Sequence, residues 1–236
     1  MSEVIHCIVE YNEDGYLIFV GNYPGAYVRG KTKEEALRKM PDEIQSYFMW
    51  ARGRNTNLSL SVKVMQEKKS ELQISDADSD VLFESEKDPL SREEYFDLKS
   101  LALKSAKDFK TLYDSIPDKD ITNRKPRKTF HGRVPLTANE ILTHTNNVTS
   151  YYIREIGTLV ENNPDIYENR LVGLKCVETL PNYLENQIFK GSYDELWTLR
   201  KVMRRFIWHD RIHAKAMYRM GVAIWGKDVI ANPYFF

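Results

Sequence analysis

The spacing of the apolar residues changes once along the chain, and this change constrains the fold more than any other feature. Up to about residue 66, short strand-type apolar runs dominate, at residues 4–9, 16–20 and 58–64, and the last of these alternates. From Ser91 onward they recur every three or four residues over long stretches, which is the period of an amphipathic helix. We therefore expect an α+β domain followed by an all-α domain.

The first domain is predicted to cover residues 1–66 with the element order βββαβ. The Asp14-Gly15 step is typical of a hairpin turn, because glycine accepts a positive φ. Residues 32–35, Thr-Lys-Glu-Glu, predict the capped start of a helix. Pro41 is expected to bend or split that helix, because proline lacks a backbone N–H. The alternating residues 58–64 predict a half-buried strand after it.

The second domain, residues 91–236, is predicted to be an antiparallel four-helix bundle. A polar, acidic linker at residues 67–90 is expected to join it to the first domain. Ser91 followed by Glu94 repeats the helix-capping signature. Four amphipathic helices of about 20 residues, separated by proline, asparagine and glycine, are typical of such a bundle. The predicted helices cover residues 91–115, 137–160, 166–190 and 194–220.

Charge and cysteine content exclude several classes of protein. The chain has 34 basic and 34 acidic residues, whereas proteins that neutralise nucleic-acid phosphates usually show a basic excess. The dense basic cluster at residues 124–128 lies in a proline-containing connection and is expected to be a solvated loop. Cys7 and Cys176 are far apart, which fits buried thiols in a reducing compartment. With no signal-peptide pattern and no membrane-length apolar run, we expect a cytoplasmic protein without nucleic-acid or membrane partners.

Three of the five histidines fall on the apolar faces of two predicted helices. His209 and His213 are four residues apart and so occupy adjacent turns of one helix face, and His144 lies on the apolar face of another helix. A buried neutral imidazole needs a partner, and one divalent ion would satisfy all three. His131, in the irregular segment before the second predicted helix, is the alternative third ligand, and ordinary core histidines satisfied by hydrogen bonds are the competing interpretation. Apolar residues sharing these faces are Ile141, Val148, Tyr152, Leu159, Val202, Phe206, Met217 and Met220.

Neighbours of these histidines are expected to support the site without binding metal. Asp210 follows His209 but points about 100° away from it around the helix, which places it at the surface or behind a ligand. Tyr151 and Tyr152 either line the site or pack in the core. The apolar C-terminal residues 232–236 are expected to dock as a lid or to form an interface, because they would otherwise be an exposed apolar tail.

Two segments of the second domain resemble the DinB/YfiT-like metalloprotein superfamily. Residues 138–144, Ala-Asn-Glu-Ile-Leu-Thr-His, are similar to the start of that superfamily's second helix, and residues 208–213, Trp-His-Asp-Arg-Ile-His, are similar to its H-x-x-x-H helix. The resemblance covers about residues 91–225 and implies that His144, His209 and His213 bind a divalent metal ion. It also implies a transferase that uses a low-molecular-weight thiol, such as bacillithiol or mycothiol, although many members have no assigned reaction.

The expected function is therefore a metal-dependent thiol transferase, or a hydrolase, that acts on a small electrophilic substrate. Three protein ligands leave a coordination position open, which is typical of catalytic metal sites. Imidazole ligands suit zinc, nickel and iron alike, so the ion stays undetermined. The alternative is a non-catalytic binding or regulatory protein, in which the metal is structural and the first domain binds a partner.

Motifs in the first domain resemble the HicB-like antitoxin fold. They are residues 13–16 (Glu-Asp-Gly-Tyr), 24–25 (Pro-Gly) and 30–37 (Gly-Lys-Thr-Lys-Glu-Glu-Ala-Leu). The resemblance covers roughly the first quarter of the chain, and the first domain is expected to be a binding or regulatory module or to have only a structural role. HicB-like antitoxins usually append a DNA-binding module, and the sequence shows none, so toxin neutralisation and operator binding are not expected. A small-molecule substrate is the expected partner, and a homodimer is allowed.

Overall fold

The computed structural model describes residues 2–55, 59–129 and 132–236. These residues form two compact units, one up to Glu86 and the other from Lys87 to Tyr234. Within the described ranges, every helix is too short or too polar to cross a membrane.

A four-stranded sheet with two helices forms the first unit. Its elements in chain order are β1 (Ser2–Asn12), β2 (Gly15–Val20), β3 (Tyr27–Gly30), α1 (Lys33–Arg38), α2 (Met40–Arg52) and β4 (Ser59–Lys69). The strand order in the sheet is β3-β2-β1-β4. β1 and β2 are antiparallel, as are β2 and β3, whereas β1 and β4 are parallel. The two helices therefore lie in the connection between β3 and β4, and both contact β3.

The turn between β1 and β2 requires glycine at position 15. Gly15 has a φ of 152°, and a Cβ atom there would lie 2.9 Å from the carbonyl oxygen of Gly30. Asn12 pairs with Gly15 across the turn, and its Oδ1 accepts a hydrogen bond from the amide of Asp14 at 2.9 Å. The chain therefore reverses at the Asp14-Gly15 step.

Two helices, α1 and α2, stand where the sequence predicts one. Thr32 caps α1, since its Oγ1 accepts a hydrogen bond from the amide of Glu35 at 3.1 Å. In a capping box the Glu35 carboxylate would accept a hydrogen bond from the amide of Thr32; here it accepts one from the amide of Lys31 at 2.9 Å. Pro41 lies in the first turn of α2, where its missing N–H has no helical acceptor to lose. The proline thus splits the helix without weakening either part.

The last strand, β4, is more exposed than predicted. Val62 is 43% exposed and Val64 is 37% exposed, so the prediction of a half-buried apolar row is wrong for these two residues. The physical reason is the position of the helices, because α1 contacts β2 and β3, and α2 contacts β3. Leu58, the first residue of the predicted row, lies outside the described residues.

Residues 70–86 pack with the first unit. They fall in the predicted linker, yet they contribute buried Ile74, Val81 and Phe83. The Phe83 ring lies 5.5 Å from the ring of Phe19 on β2, measured between centroids. Whether the two units fold independently of each other stays a prediction.

The second unit contains helices and short strands. Its elements in chain order are α3 (Arg92–Ser115), β5 (Lys128–Thr129), β6 (Gly132–Arg133), α4 (Ala138–Arg154), α5 (Ile166–Glu178), β7 (Phe189–Lys190), β8 (Leu196–Trp197) and α6 (Leu199–Trp225). β5 pairs with β6, and β7 pairs with β8, both antiparallel. The predicted all-α antiparallel four-helix bundle is therefore wrong, because this part of the chain is mixed α and β.

The segment between α5 and α6 explains most of the difference. The third predicted helix, residues 166–190, ends at Glu178, shortly before Pro181, which cannot donate a helical hydrogen bond. Asn182 and Asn186 then adopt left-handed conformations with φ of 57° and 56°. The chain reverses through the β7–β8 hairpin, and α6 begins only after Thr198, whose Oγ1 accepts a hydrogen bond from the amide of Lys201 at 3.2 Å.

The longest helix, α6, runs through the core of the second unit. It contacts α3 and α4, and α5 contacts the same two helices. Val202, Met203, Phe206 and Ile207 occupy successive positions around α6 and are all fully buried. Because α6 is buried on several sides, it is held rigidly. His209 and His213 both lie on this helix.

The C-terminal residues dock against α3. Tyr234 is fully buried, and its hydroxyl donates a hydrogen bond to the carbonyl oxygen of Ser105 at 2.6 Å. The amide of Ala231 donates to Oγ of Ser115 at 3.0 Å, and the ring of Phe236 stacks on that of Tyr234. The tail is thus anchored by hydrogen bonds as well as by apolar contact.

Candidate metal centre

α4 positions His144 two turns after a firmly capped start. Thr137 Oγ1 accepts a hydrogen bond from the amide of Glu140 at 3.2 Å, and the Glu140 carboxylate accepts one from the amide of Thr137 at 3.4 Å. Ile141 and Thr145 lie on the buried face of the helix. His144 lies at the edge of that face and is exposed to solvent, so the prediction of a buried position is wrong for this histidine.

α6 positions His209 and His213 on adjacent turns. Both side chains are partly exposed, while Phe206 and Met217, one turn before and one turn after the pair, are fully buried. The helix therefore directs the two imidazoles toward α4 along the border between core and solvent. Solvent reaches the histidines from the side where His144 is exposed.

The three imidazole rings form a compact cluster. The ring centroids of His209 and His213 are 4.3 Å apart. His144 lies 5.1 Å from His209 and 4.6 Å from His213 by the same measure. One nitrogen from each ring can be chosen so that all three nitrogens lie within 4.8 Å of one another. The three histidines are therefore close enough to hold a single metal ion.

The protonation state of the cluster favours metal binding. Burial lowers the pKa of His209 well below its ordinary value, and the neighbouring His213 and His144 lower it further. Burial, His144 and then Arg124 lower the pKa of His213 in the same way. Both rings are thus neutral at neutral pH, and a neutral imidazole offers the lone pair that a metal ion needs.

A buried nitrogen atom of His209 tests independently whether the three histidines fit a metal ion. Nδ1 of His209 is buried and makes no hydrogen bond to any described residue. Leaving a buried polar atom without a partner costs about 1–3 kcal/mol, and coordination through this nitrogen to an ion shared with His144 and His213 would remove this cost. A donor set of three imidazoles is also one that zinc and related ions accept. The residues therefore fit a divalent metal.

Small movements complete the coordination geometry. Nitrogen ligands at about 2.0–2.1 Å from a tetrahedral zinc ion stand roughly 3.3 Å apart, which is shorter than the 4.8 Å limit that encloses the three nitrogens. Rotation of the His144 side chain, which is exposed, would be the least costly way to close this difference.

A buried ion pair braces α6 beside the histidine pair. Arg170 of α5 donates hydrogen bonds to both carboxylate oxygens of Asp210, at 3.1 and 3.2 Å, and both side chains are fully buried. The Arg170 guanidinium also lies 3.9 Å from the ring centroid of Phe206. Burial raises the pKa of Asp210 above its ordinary value, and the guanidinium offsets part of the rise. Asp210 is thus neither a surface residue nor a member of the histidine cluster.

An aromatic wall closes the site toward the interior. The ring of Tyr152 lies 6.2 Å from that of His209, edge to face, and 5.3 Å from that of Trp197. The Arg205 guanidinium, one turn before His209, lies 5.5 Å from the Tyr152 ring and 5.1 Å from that of Trp208. Tyr152 therefore both packs in the core and lines the histidine site.

A second buried charge group lies near the start of α6, two turns before His209. Nζ of Lys201 is 2.8 Å from the Glu195 carboxylate and donates a hydrogen bond to the carbonyl oxygen of Leu196 at 2.7 Å. Burial lowers the pKa of Lys201 to about 8, while Glu195 offsets part of the fall. Sequence reasoning misses this group, although the i, i+4 spacing of Lys201, Arg205 and His209 is a signal that all three share one face of the helix.

Several candidates from the sequence do not join the cluster. His131 lies outside the described residues. His6 lies on β1 in the first unit, and its amide donates a hydrogen bond to Oδ1 of Asn22 at 3.1 Å. A pocket of about 280 Å³ in the second unit is lined by residues such as Ile156, Val177 and Phe189 and does not include the histidines.

Comparisons with known proteins identify no relative: no family model, no curated protein and no solved structure matches the chain.

Proposed function

We propose that His144, His209 and His213 bind one divalent metal ion and that the protein is a metal-dependent transferase that uses a low-molecular-weight thiol, or a hydrolase, acting on a small electrophilic substrate. The observation that carries this proposal is the cluster itself, with ring centroids 4.3–5.1 Å apart. The orphaned Nδ1 of His209 supports it, as does the resemblance of the two histidine segments to the DinB/YfiT-like superfamily.

The chemistry follows from an ion held by only three protein ligands. Such an ion acts as a Lewis acid that makes a thiol or a water nucleophilic near neutral pH. His209 and His213 hold their side of the site rigidly, because α6 is packed on several sides and braced by the Arg170–Asp210 ion pair. Tyr152 keeps water out on the interior side, and a substrate approaches from the solvent side next to His144.

Metal binding is tested by measuring content and affinity on the full chain. We expect one divalent ion per chain after reconstitution. His213→Ala should weaken binding at least roughly a hundredfold, because losing a direct ligand exceeds the ten- to hundredfold effect of losing a hydrogen-bond partner of a ligand. His144→Ala should behave similarly. His6→Ala is the matched control and should bind metal like the unchanged protein. Equal affinity in all of these proteins contradicts the site.

Catalysis needs a separate test. With metal restored, small thiols are screened against electrophilic acceptors, and hydrolysis of activated esters is measured in parallel. We expect turnover that requires the ion and is lost in the His213→Ala protein. Tight, histidine-dependent metal binding without turnover would instead assign the ion a structural role.

A further inference from the structure

Among the residues that the structure describes, the sheet of the first unit ends in a strand with an open edge. β4 is the last strand in the order β3-β2-β1-β4 and pairs with β1 on one side. Backbone N–H and C=O groups along an edge strand are a template for pairing with another strand. Proteins usually shorten, cover, charge or twist such edges. On this part of β4, Lys63 is the charged residue and the register shift after Cys7 is the irregularity.

Apolar side chains extend along this edge. Val62 and Val64 pair with Ile5 and Cys7 of β1, which are fully buried, so the two valines continue the apolar face of the sheet beyond its covered part. Val62 is 43% exposed and Val64 is 37% exposed. A further strand on this edge would bury both.

The open part of β4 has a defined end. The Gln66 side chain donates a hydrogen bond to the carbonyl oxygen of Leu82 at 3.1 Å and accepts one from the amide of Glu84 at 3.0 Å. Lys68 forms an ion pair with Asp80. The returning chain thus covers β4 from residue 66 onward. Residues 59–65 stay open, and residue 62 is at their centre.

The apolar residues of the open part of β4 are arranged symmetrically about Val62. The sequence there reads Leu60-Ser61-Val62-Lys63-Val64, so apolar residues lie two positions to either side of Val62. We propose that this edge pairs with the same strand of a second copy of the chain, antiparallel, with Val62 opposite Val62 of the second copy. Leu60 then faces Val64 of the second copy, and Lys63 faces Ser61. This interface is independent of the proposed metal chemistry.

Other antiparallel registers are less favourable. Moving the centre by one residue to Lys63 places two lysines directly opposite each other, which is destabilising. Moving it to Val64 places Val62 opposite Gln66, which the returning chain already occupies. A centre at Val62 is therefore the register that joins apolar to apolar residues, avoids like charges and uses the whole open edge. Twofold pairing also closes this edge, so dimers form and not filaments.

The test measures the self-association of the full chain by sedimentation velocity over a concentration series. We expect a reversible dimer. Val62→Lys and Val62→Glu should each weaken it at least roughly tenfold, since like charges then meet on the twofold axis. An equimolar mixture of the two variants should restore it. Val4→Lys is the matched control, because Val4 is also 43% exposed but lies on β1, inside the sheet; it should dimerise normally.

A second pair of variants tests the register without touching the apolar row. Ser61 is exposed and faces Lys63 of the second copy, so Ser61→Lys should weaken the dimer several-fold and Ser61→Glu should strengthen it by a similar factor. Circular dichroism checks that each variant folds. A monomer at all concentrations, a dimer that is indifferent to both pairs of variants, or a mixture that does not associate would overturn the proposal.

Discussion

Replacing Glu10 by glutamine tests how the first unit accommodates a buried carboxyl group. Glu10 lies on β1 and is fully buried, and Oγ of Ser79 donates a hydrogen bond to its carboxylate. The pKa of Glu10 is raised to about 7, mainly by burial and partly by the Asp80 carboxylate, while the Ser79 hydroxyl and Lys68 limit the rise. The ordinary value is 4.5.

The raised pKa sets the sign of the pH dependence. The folded state holds the Glu10 proton more tightly than the unfolded state, so the unfolded state ionises first as the pH rises. Stability is therefore lost progressively between pH 4.5 and about 7. A difference of this size corresponds to about 3 kcal/mol, since one pKa unit is worth about 1.4 kcal/mol. The loss of stability is complete above about pH 7 and absent below pH 4.5, the ordinary pKa of the group.

Glu10→Gln keeps the shape and removes the ionisation. We expect the variant to be more stable than the unchanged protein by about 3 kcal/mol at pH 8 and nearly equal to it at pH 4.5. The difference in stability is measured by urea denaturation at several pH values. Unfolding is followed by the fluorescence of the buried Trp50, in a protein whose other tryptophans are replaced by phenylalanine. Glu67→Gln is the control, because Glu67 is exposed on β4. A stability difference between Glu10→Gln and the unchanged protein that stays constant from pH 4.5 to 8 would refute the reasoning.

Two further predictions concern the second unit. Asp210→Ala should lower the free energy of unfolding by about 3–5 kcal/mol, because it leaves the Arg170 guanidinium buried without its carboxylate; a loss below about 1 kcal/mol in urea denaturation would contradict this. Tyr234→Phe should cost about 1 kcal/mol, because it removes the hydrogen bonds of the hydroxyl to Ser105 and keeps the buried ring. An unchanged melting temperature in calorimetry would show that the tail is not anchored there.

Local patterns predict the parts of this fold that local forces determine. The start of α3 follows from Ser91 and Glu94, whose side chain and backbone exchange the two bonds of a capping box. The close approach of His209 and His213 follows from their i, i+4 spacing alone. The approach of His144 follows from placing it on an inward helix face, although its exposure shows that it lies at the border of that face.

The features that sequence reasoning misses depend on contacts between distant residues. The β7–β8 hairpin has two residues per strand, too few to show a strand period. Asp210 is read as a surface residue or as one behind a ligand because its partner, Arg170, is 40 residues away. The exposure of Val62 depends on which strands α1 and α2 cover. The apolar alternation of β4 would be the same whether or not the helices covered this strand.

The same hairpin connects these missed features to the histidine site. Glu195, beside β8, holds Lys201 at 2.8 Å, and Trp197 of β8 packs against Tyr152 and against the Arg205 guanidinium, 5.3 Å away in each case. Lys201 and Arg205 precede His209 by two turns and one turn of α6, so the hairpin fixes the rotation of the helix about its axis at the point where the histidine pair begins. An all-α bundle lacks this contact, and its ligands would be oriented by helix packing alone. The β7–β8 hairpin of this mixed architecture therefore fixes the orientation of α6 next to the histidine cluster. It acts on the side of the helix opposite the Arg170–Asp210 ion pair.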